Sequence, residues 1–157
     1  MSTVFGKLNL KDHDEILVVN APATFEPELA ALKGVTVHRS LADAASVTFA
    51  LAFVTKQKEL DAIAKGVAKK AQGDAIVWFA YPKGSSKRYT CEFNRDSGWT
   101  VLGEAGFEPV RMIAIDEDWS AKRYRRVAFI KTMTRDYRRA MTKEGKKKAR
   151  RFSGLSD

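Results

Sequence analysis

The sequence predicts an α/β protein, a three-layer sandwich whose mostly parallel sheet ends in an antiparallel hairpin. Three observations carry that expectation. Apolar runs at 16–20, 47–54 and 75–81 have the length and composition of strands covered on both faces. Between them, residues 25–33 and 55–72 repeat apolar side chains at helical spacing. Two further apolar runs, 110–115 and 124–130, flank a short polar turn, which is the pattern of a hairpin. Strands alternating with helices specify a parallel sheet, and the hairpin then adds an antiparallel edge.

The first strand, over 15–20, runs straight into Ala21, Pro22, Ala23, Thr24 and Phe25. A domain of this architecture that holds a nucleoside cofactor places glycines at this turn, because they let backbone N–H groups approach the ligand and tolerate positive φ. Proline supplies neither. Phe25, Leu29 and Leu32 then share one side of a short helix over 25–33, closed by Gly34 as a C-cap. Residues 35–39 alternate as a strand, and 47–54 form a central buried one. Thr55 is the expected N-cap of a helix whose Leu60, Ile63, Ala64, Val67, Ala68 and Ala71 form one face until Gly73. Its other face carries Lys58, Lys65 and Lys69. Strand 75–81 is stopped by Pro82. Asn94 is expected to cap a helix over 95–105 that Gly98 and Gly103 weaken and Gly106 follows. The hairpin pairs 110–115 with 124–130 around a turn at 116–120. Met133, Tyr137 and Met141 lie four apart on one side of a final helix.

At 157 residues the chain is long enough for one self-sufficient core, assigned to residues 1–130, with a basic helical extension over 131–157. The charge is uneven. Residues 131–157 hold ten Lys or Arg against three acids, a net of +7, whereas the rest holds eighteen against sixteen, a net of +2. The single cysteine, Cys91, allows no internal disulfide and no cysteine-rich zinc site, which fits a reducing cytoplasm. Neither His13 nor His38 is placed by any motif to activate that thiol. The first twenty residues mix charges with short apolar pieces, unlike a signal peptide. The longest apolar stretch, 47–54, is far short of the roughly 20 residues that cross a bilayer, so no membrane span is expected.

From about Ser46 onward, the order of strand, helix, Gly73, strand, a helix ending at Phe107 and a hairpin resembles the second half of a class I methyltransferase, a Rossmann-like fold. More narrowly, Tyr81, Pro82 and Lys83, together with 115–120 and Arg123, look like the signature of an uncharacterised bacterial domain family of methyltransferase-like shape. The resemblance spans roughly residues 12–127. It implies the fold; it does not transfer a reaction. Two departures count against the cofactor of true methyltransferases: the first turn has no glycine, and the second strand ends in His38, Arg39 and Ser40 where an acidic ribose binder would sit. No cofactor is therefore expected, S-adenosylmethionine included.

Several groups of residues remain as candidates. The loop Lys83, Gly84, Ser85, Ser86, Lys87 and Arg88 leaves the carboxyl end of a parallel strand, where open α/β sheets place ligands, and joins cations to hydroxyl donors. It lacks the spacing of a Walker loop and competes with a solvated polar loop. Asn20 and Thr24 border the same crevice, and His38 and Arg39 offer donors to an anion at the end of the second strand. The competing reading of His38 is a half-exposed strand residue. Asp116, Glu117 and Asp118 lack the ligand spacing of a cation loop, so no metal site is assigned; the expectation is an acid pairing with Lys122 or Arg123 while Trp119 covers the sheet end. Trp78, Phe79 and Tyr81 are read as core.

The partner signal is strongest in the basic extension. Arg135, Arg138, Arg139, Lys146, Lys147, Lys148, Arg150 and Arg151 form clusters that attract phosphate backbones through counterion release. An anionic membrane surface would attract them as well, and a merely solubilising extension is the competing reading. The combined expectation is a cytoplasmic, non-catalytic binding protein with an acidic partner such as nucleic acid. The alternative is a transferase or hydrolase that takes a small anion or nucleoside in the strand-end cleft.

Overall fold

The computed structural model describes residues 4–94 and 97–130. A short helix α1 (Val4–Lys7) precedes β1 (Glu15–Val19), after which a 3-10 turn (Ala23–Phe25) leads into α2 (Glu26–Ala30). There follow β2 (Thr36–His38), β3 (Val47–Phe53), α3 (Gln57–Lys70), β4 (Ala71–Pro82), α4 (Thr100–Glu104), β5 (Phe107–Ala114) and β6 (Trp119–Arg126). The strands form one sheet in the order β2-β1-β3-β4-β6-β5. β1 runs parallel to both β2 and β3, and β3 to β4. β6 is antiparallel to β4 and to β5. The expected mostly parallel sheet with an antiparallel hairpin is thus present.

Helices cover both faces of the sheet. Along β4, Ala75, Val77, Phe79 and Tyr81 point to one side, while Ile76, Trp78 and Ala80 point to the other. On the first side, Leu60, Ile63, Ala64 and Val67 of α3 and Leu102 of α4 pack against Ala50, Ala52, Phe79 and Tyr124. The small Ala50 and Ala52 there leave room for the helix to lie close. On the second side, Phe5 and Leu8 of the α1 segment and Phe25 and Leu29 of the α2 segment cover Ile16, Val18, Phe49, Leu51 and Phe53. The Trp78 indole N–H donates to the Leu8 carbonyl at 2.8 Å, which ties the α1 segment to the sheet centre. No sequence pattern predicts α1.

Four sequence expectations are corrected by the structure. The helix expected over 95–105 covers only Thr100–Glu104, and Asn94 does not cap it. Instead Asn94 Oδ1 accepts the Ser97 N–H at 3.0 Å, and Gly98 at φ +96° breaks the helical path ahead of Trp99. The N-cap position of α3 is Lys56, one residue after Thr55. The Glu59 carboxylate accepts the backbone N–H groups of Thr55 and Lys56 at 3.0 and 3.2 Å. Gly34, at φ +70°, lies beyond the end of α2 instead of directly closing it. Finally, β6 starts at Trp119, within the segment expected to turn, and carries Lys122, Arg123, Arg125 and Arg126. Two of these side chains set their cationic heads over aromatic rings: the Lys122 ammonium lies 4.8 Å from the Trp99 ring centre, and the Arg126 guanidinium 4.8 Å from that of Phe107. The final helix carrying Met133, Tyr137 and Met141 lies outside the described residues.

Candidate functional site

The chain reverses its order between β1 and β3: β2 is added on one side of β1, and β3 on the other. In open α/β sheets this switch opens a crevice at the carboxyl ends of the strands, which is the usual ligand position. Here that edge is built from Asn20 after β1, Arg39 after β2, Thr55 after β3 and the 83–88 loop after β4.

Asn20 has φ +59°, the left-handed conformation for which such turns use glycine. The turn therefore keeps the backbone geometry without the glycine, since asparagine tolerates that region better than other side chains. Its Nδ2 donates to the Phe53 carbonyl at 3.5 Å, a long bond joining the ends of β1 and β3. Thr24 is exposed in the 3-10 turn that follows. Arg39 donates two bonds to Glu26, at 2.8 and 2.9 Å, in a bidentate fork. The pair spans from the end of β2 to the first residue of α2. Hydrogen bonding to Arg39 also holds the Glu26 carboxyl below its ordinary range. His38 Nε2 lies 2.8 Å from Glu15 Oε1, at the opening residue of β1, and so is drawn toward the amino end of the strands.

The 83–88 loop is clasped to the β5–β6 turn. The Lys83 N–H donates to the Asp118 carbonyl at 2.8 Å, opposite the Pro82–Trp119 register pair. Ser86 Oγ donates to Asp118 Oδ1 at 2.9 Å and accepts the N–H groups of Arg88 and Tyr89 at 3.3 and 3.2 Å. Arg88 Nε stands 3.9 Å from the second Asp118 oxygen. Asp116 closes the turn by accepting the N–H groups of Asp118 and Trp119. The expected acid pairing with Lys122 or Arg123 is thus replaced by pairing with Ser86 and Arg88. The Asp118 carboxylate is thus served by Ser86 and Arg88, while Lys83 reaches Asp118 only through its backbone N–H. Trp119 does cover the sheet end, with its ring 5.1 Å from Phe53 and 4.9 Å from Tyr89.

The candidates therefore form separate clusters: Asn20 with Phe53, Arg39 with Glu26, His38 with Glu15, and the 83–88 loop with Asp118. Glu26 and Glu15 were not legible as site residues, because each pairs across the chain with no spacing signal. Burial pushes the Cys91 thiol up, away from the thiolate that nucleophilic chemistry needs. Among the described residues no group of His, Cys, Asp and Glu could hold a metal ion, and no helix is long and apolar enough to cross a membrane. A shallow depression of about 490 Å³ opens at the opposite edge, lined by Lys11, His13, Glu15 and Thr48 among others. The eight basic candidates between Arg135 and Arg151 lie outside the described residues.

No protein-family model matches the chain, and no curated protein sequence matches it. Solved structures do. A SAM-dependent methyltransferase from Aquifex aeolicus superposes with a TM-score of 0.56 at 14% identity, over 78% of this chain and 87% of that one. The N-methyltransferase NodS from Bradyrhizobium japonicum WM9 gives 0.44 at 12% identity, over 71% and 73% of the two chains. Magnesium protoporphyrin IX methyltransferase from Synechocystis PCC 6803 gives 0.45 at 15% identity; this chain covers 51% of that protein's length with 66% of its own. The Aquifex likeness shows that the chain has a methyltransferase-like fold.

Proposed function

We propose that this chain is a binding protein built on a methyltransferase-like fold, acting on an acidic partner and not as an S-adenosylmethionine-dependent enzyme. The observation that carries this reading is the bidentate Arg39–Glu26 pair. At the end of β2, where a nucleoside-binding sheet presents a carboxylate to ribose hydroxyls, this chain presents a guanidinium that is already bonded. Glu26, at the start of α2, adds negative charge where a helix N-terminus would otherwise favour an anion. The partner side of the reading rests on the charge distribution, +7 within residues 131–157. Nucleic acid is the partner class we assign to that segment, with Arg135, Arg138, Arg139, Lys146, Lys147, Lys148, Arg150 and Arg151 as phosphate-neutralising groups. Of the loop candidates, Lys83, Ser85 and Lys87 are assigned to an acidic partner as well, whereas the Ser86 hydroxyl is committed to Asp118.

Two titrations test this. Calorimetry with S-adenosylmethionine is expected to give no saturable binding at micromolar concentrations, the range of about −8 kcal/mol. Saturable binding there would restore the enzyme reading. The full chain and a chain ending at residue 142 are then titrated against labelled RNA and DNA at several salt concentrations. Truncation should weaken retention and flatten the salt dependence, by about 0.7 in log–log slope for each phosphate no longer neutralised on single strands and about 0.9 on duplex DNA. Equal binding by both forms would remove the role of the extension.

A further inference from the structure

We propose that Arg111 and Arg123 form a paired guanidinium site for a phosphodiester on the β5–β6 hairpin; this rests on the reading of an acidic partner and extends its footprint onto the folded body. The register places the two residues directly opposite each other on neighbouring antiparallel strands. Side chains in that relation share one face, and two like charges there oppose folding unless something of opposite sign lies between them. Arg111 is exposed, and no acid forms an ion pair with either residue among those described. The Arg123 Nε is buried without a hydrogen-bond acceptor among the described residues.

The nearby acids are occupied or placed elsewhere. Asp74 is gripped by Arg125 through bonds of 2.8 and 2.6 Å. Glu108 stands opposite Arg125 in the register and is fully buried. Asp116 and Asp118 are engaged at the hairpin turn. Burial of Arg123, with the charge of Arg125, disfavours its cationic form; the Asp74 carboxylate opposes this in part, and the charge of Arg111 adds to it. Guanidinium forks match the oxygens of a phosphate, and strands hold them more firmly than loops do. In sequence, the hairpin is followed, after Val127–Phe129, by the basic residues 131–157.

The test uses the full chain. Arg111→Gln with Arg123→Gln should lower the log–log salt slope on labelled single-stranded RNA by about 0.7 for each phosphate that the pair no longer neutralises. The same chain should melt at or above the wild-type temperature, because a like-charge pair is removed. If that variant does not fold, Arg111→Lys with Arg123→Lys keeps the charges and loses the fork; its affinity should fall several-fold. In parallel, inorganic phosphate is titrated against the wild-type chain while the arginine Nε–H resonances, assigned with the single lysine variants, are followed. Saturable shifts at both residues support the site. RNA binding unchanged in both double variants, with truncation at residue 142 still weakening it, would overturn the pair and leave the acidic-partner reading intact. Phosphate shifts at both residues without RNA binding by the wild type would keep the site and overturn that reading. No response to either probe overturns both. Equal binding of polyglutamate would replace the phosphodiester by a carboxylate partner and so overturn the assignment.

Discussion

Asn20 shows how a side chain can hide a backbone requirement. The turn after β1 needs a left-handed residue, and asparagine meets that need at φ +59° in place of glycine. Asn20→Gly should therefore leave stability unchanged or slightly higher, while Asn20→Ala should cost about 1 kcal/mol, because a β-carbon without a local polar side chain is strained there. Urea denaturation of the two variants measures the difference, and equal destabilisation would show that the Phe53 bond, not the conformation, is what matters. His13 gives a pH prediction. Its Nδ1 accepts the Lys11 N–H at 3.2 Å and its ring packs 5.4 Å from Phe49, so burial lowers its pKa and the folded chain holds the neutral ring. The stability it contributes is complete above the unfolded value of about 6.5 and is lost as pH falls through the lower folded value. The wild type should lose more stability than His13→Gln between neutral and mildly acidic pH. A decrease that is identical in the two chains would assign the effect to other groups.

At the scale of elements, local propensity predicted existence better than boundaries. The 47–54 run became β3 and the 75–81 run the core of β4, because a continuous apolar strand can be satisfied only in the middle of a sheet. The hairpin was recognised while its second strand was misplaced, since Lys122 and Arg126 read as solvent-facing until Trp99 and Phe107 are known to lie beneath them. Helix α3 starts where Glu59 can reach back to two N–H groups, and this arrangement is worth testing. Glu59→Ala should destabilise the fold by about 1 kcal/mol and increase amide exchange in the first turn of α3, whereas Glu59→Gln should retain most of the cap. Equal exchange in wild type and Glu59→Ala would mean that the segment holding Glu92 against Gln57 fixes the helix start instead.

In the whole molecule, β3 and β4 each contribute to both hydrophobic clusters, so the two faces cannot melt independently. Leu51→Ala on the α1–α2 face and Leu60→Ala on the α3 face should each cost about 2–5 kcal/mol. Both should unfold in a single transition that coincides by tryptophan fluorescence and far-ultraviolet circular dichroism. Separate transitions in either variant would show that the layers behave as distinct units. The same sheet explains the dispersal of the candidate site: strands are fixed in register, but the residues at their ends take whichever partner the neighbouring strand or turn presents.

By itself, the sequence determined the fold class, since apolar runs of strand length, helical periodicity and a terminal hairpin leave few ways to bury the core. It also determined the concentration of positive charge in the last 27 residues and the absence of glycine from the first turn. Only the tertiary structure decided what the polar residues do. The partners of Arg39, His38 and Ser86 lie 13, 23 and 32 residues away, and the register that sets Arg111 against Arg123 depends on an irregularity between Pro109 and Arg111. Hydrophobic burial is encoded by periodicity and is legible along the chain. Hydrogen bonds and ion pairs are directional and short-ranged, so they exist only once folding has brought distant segments within reach.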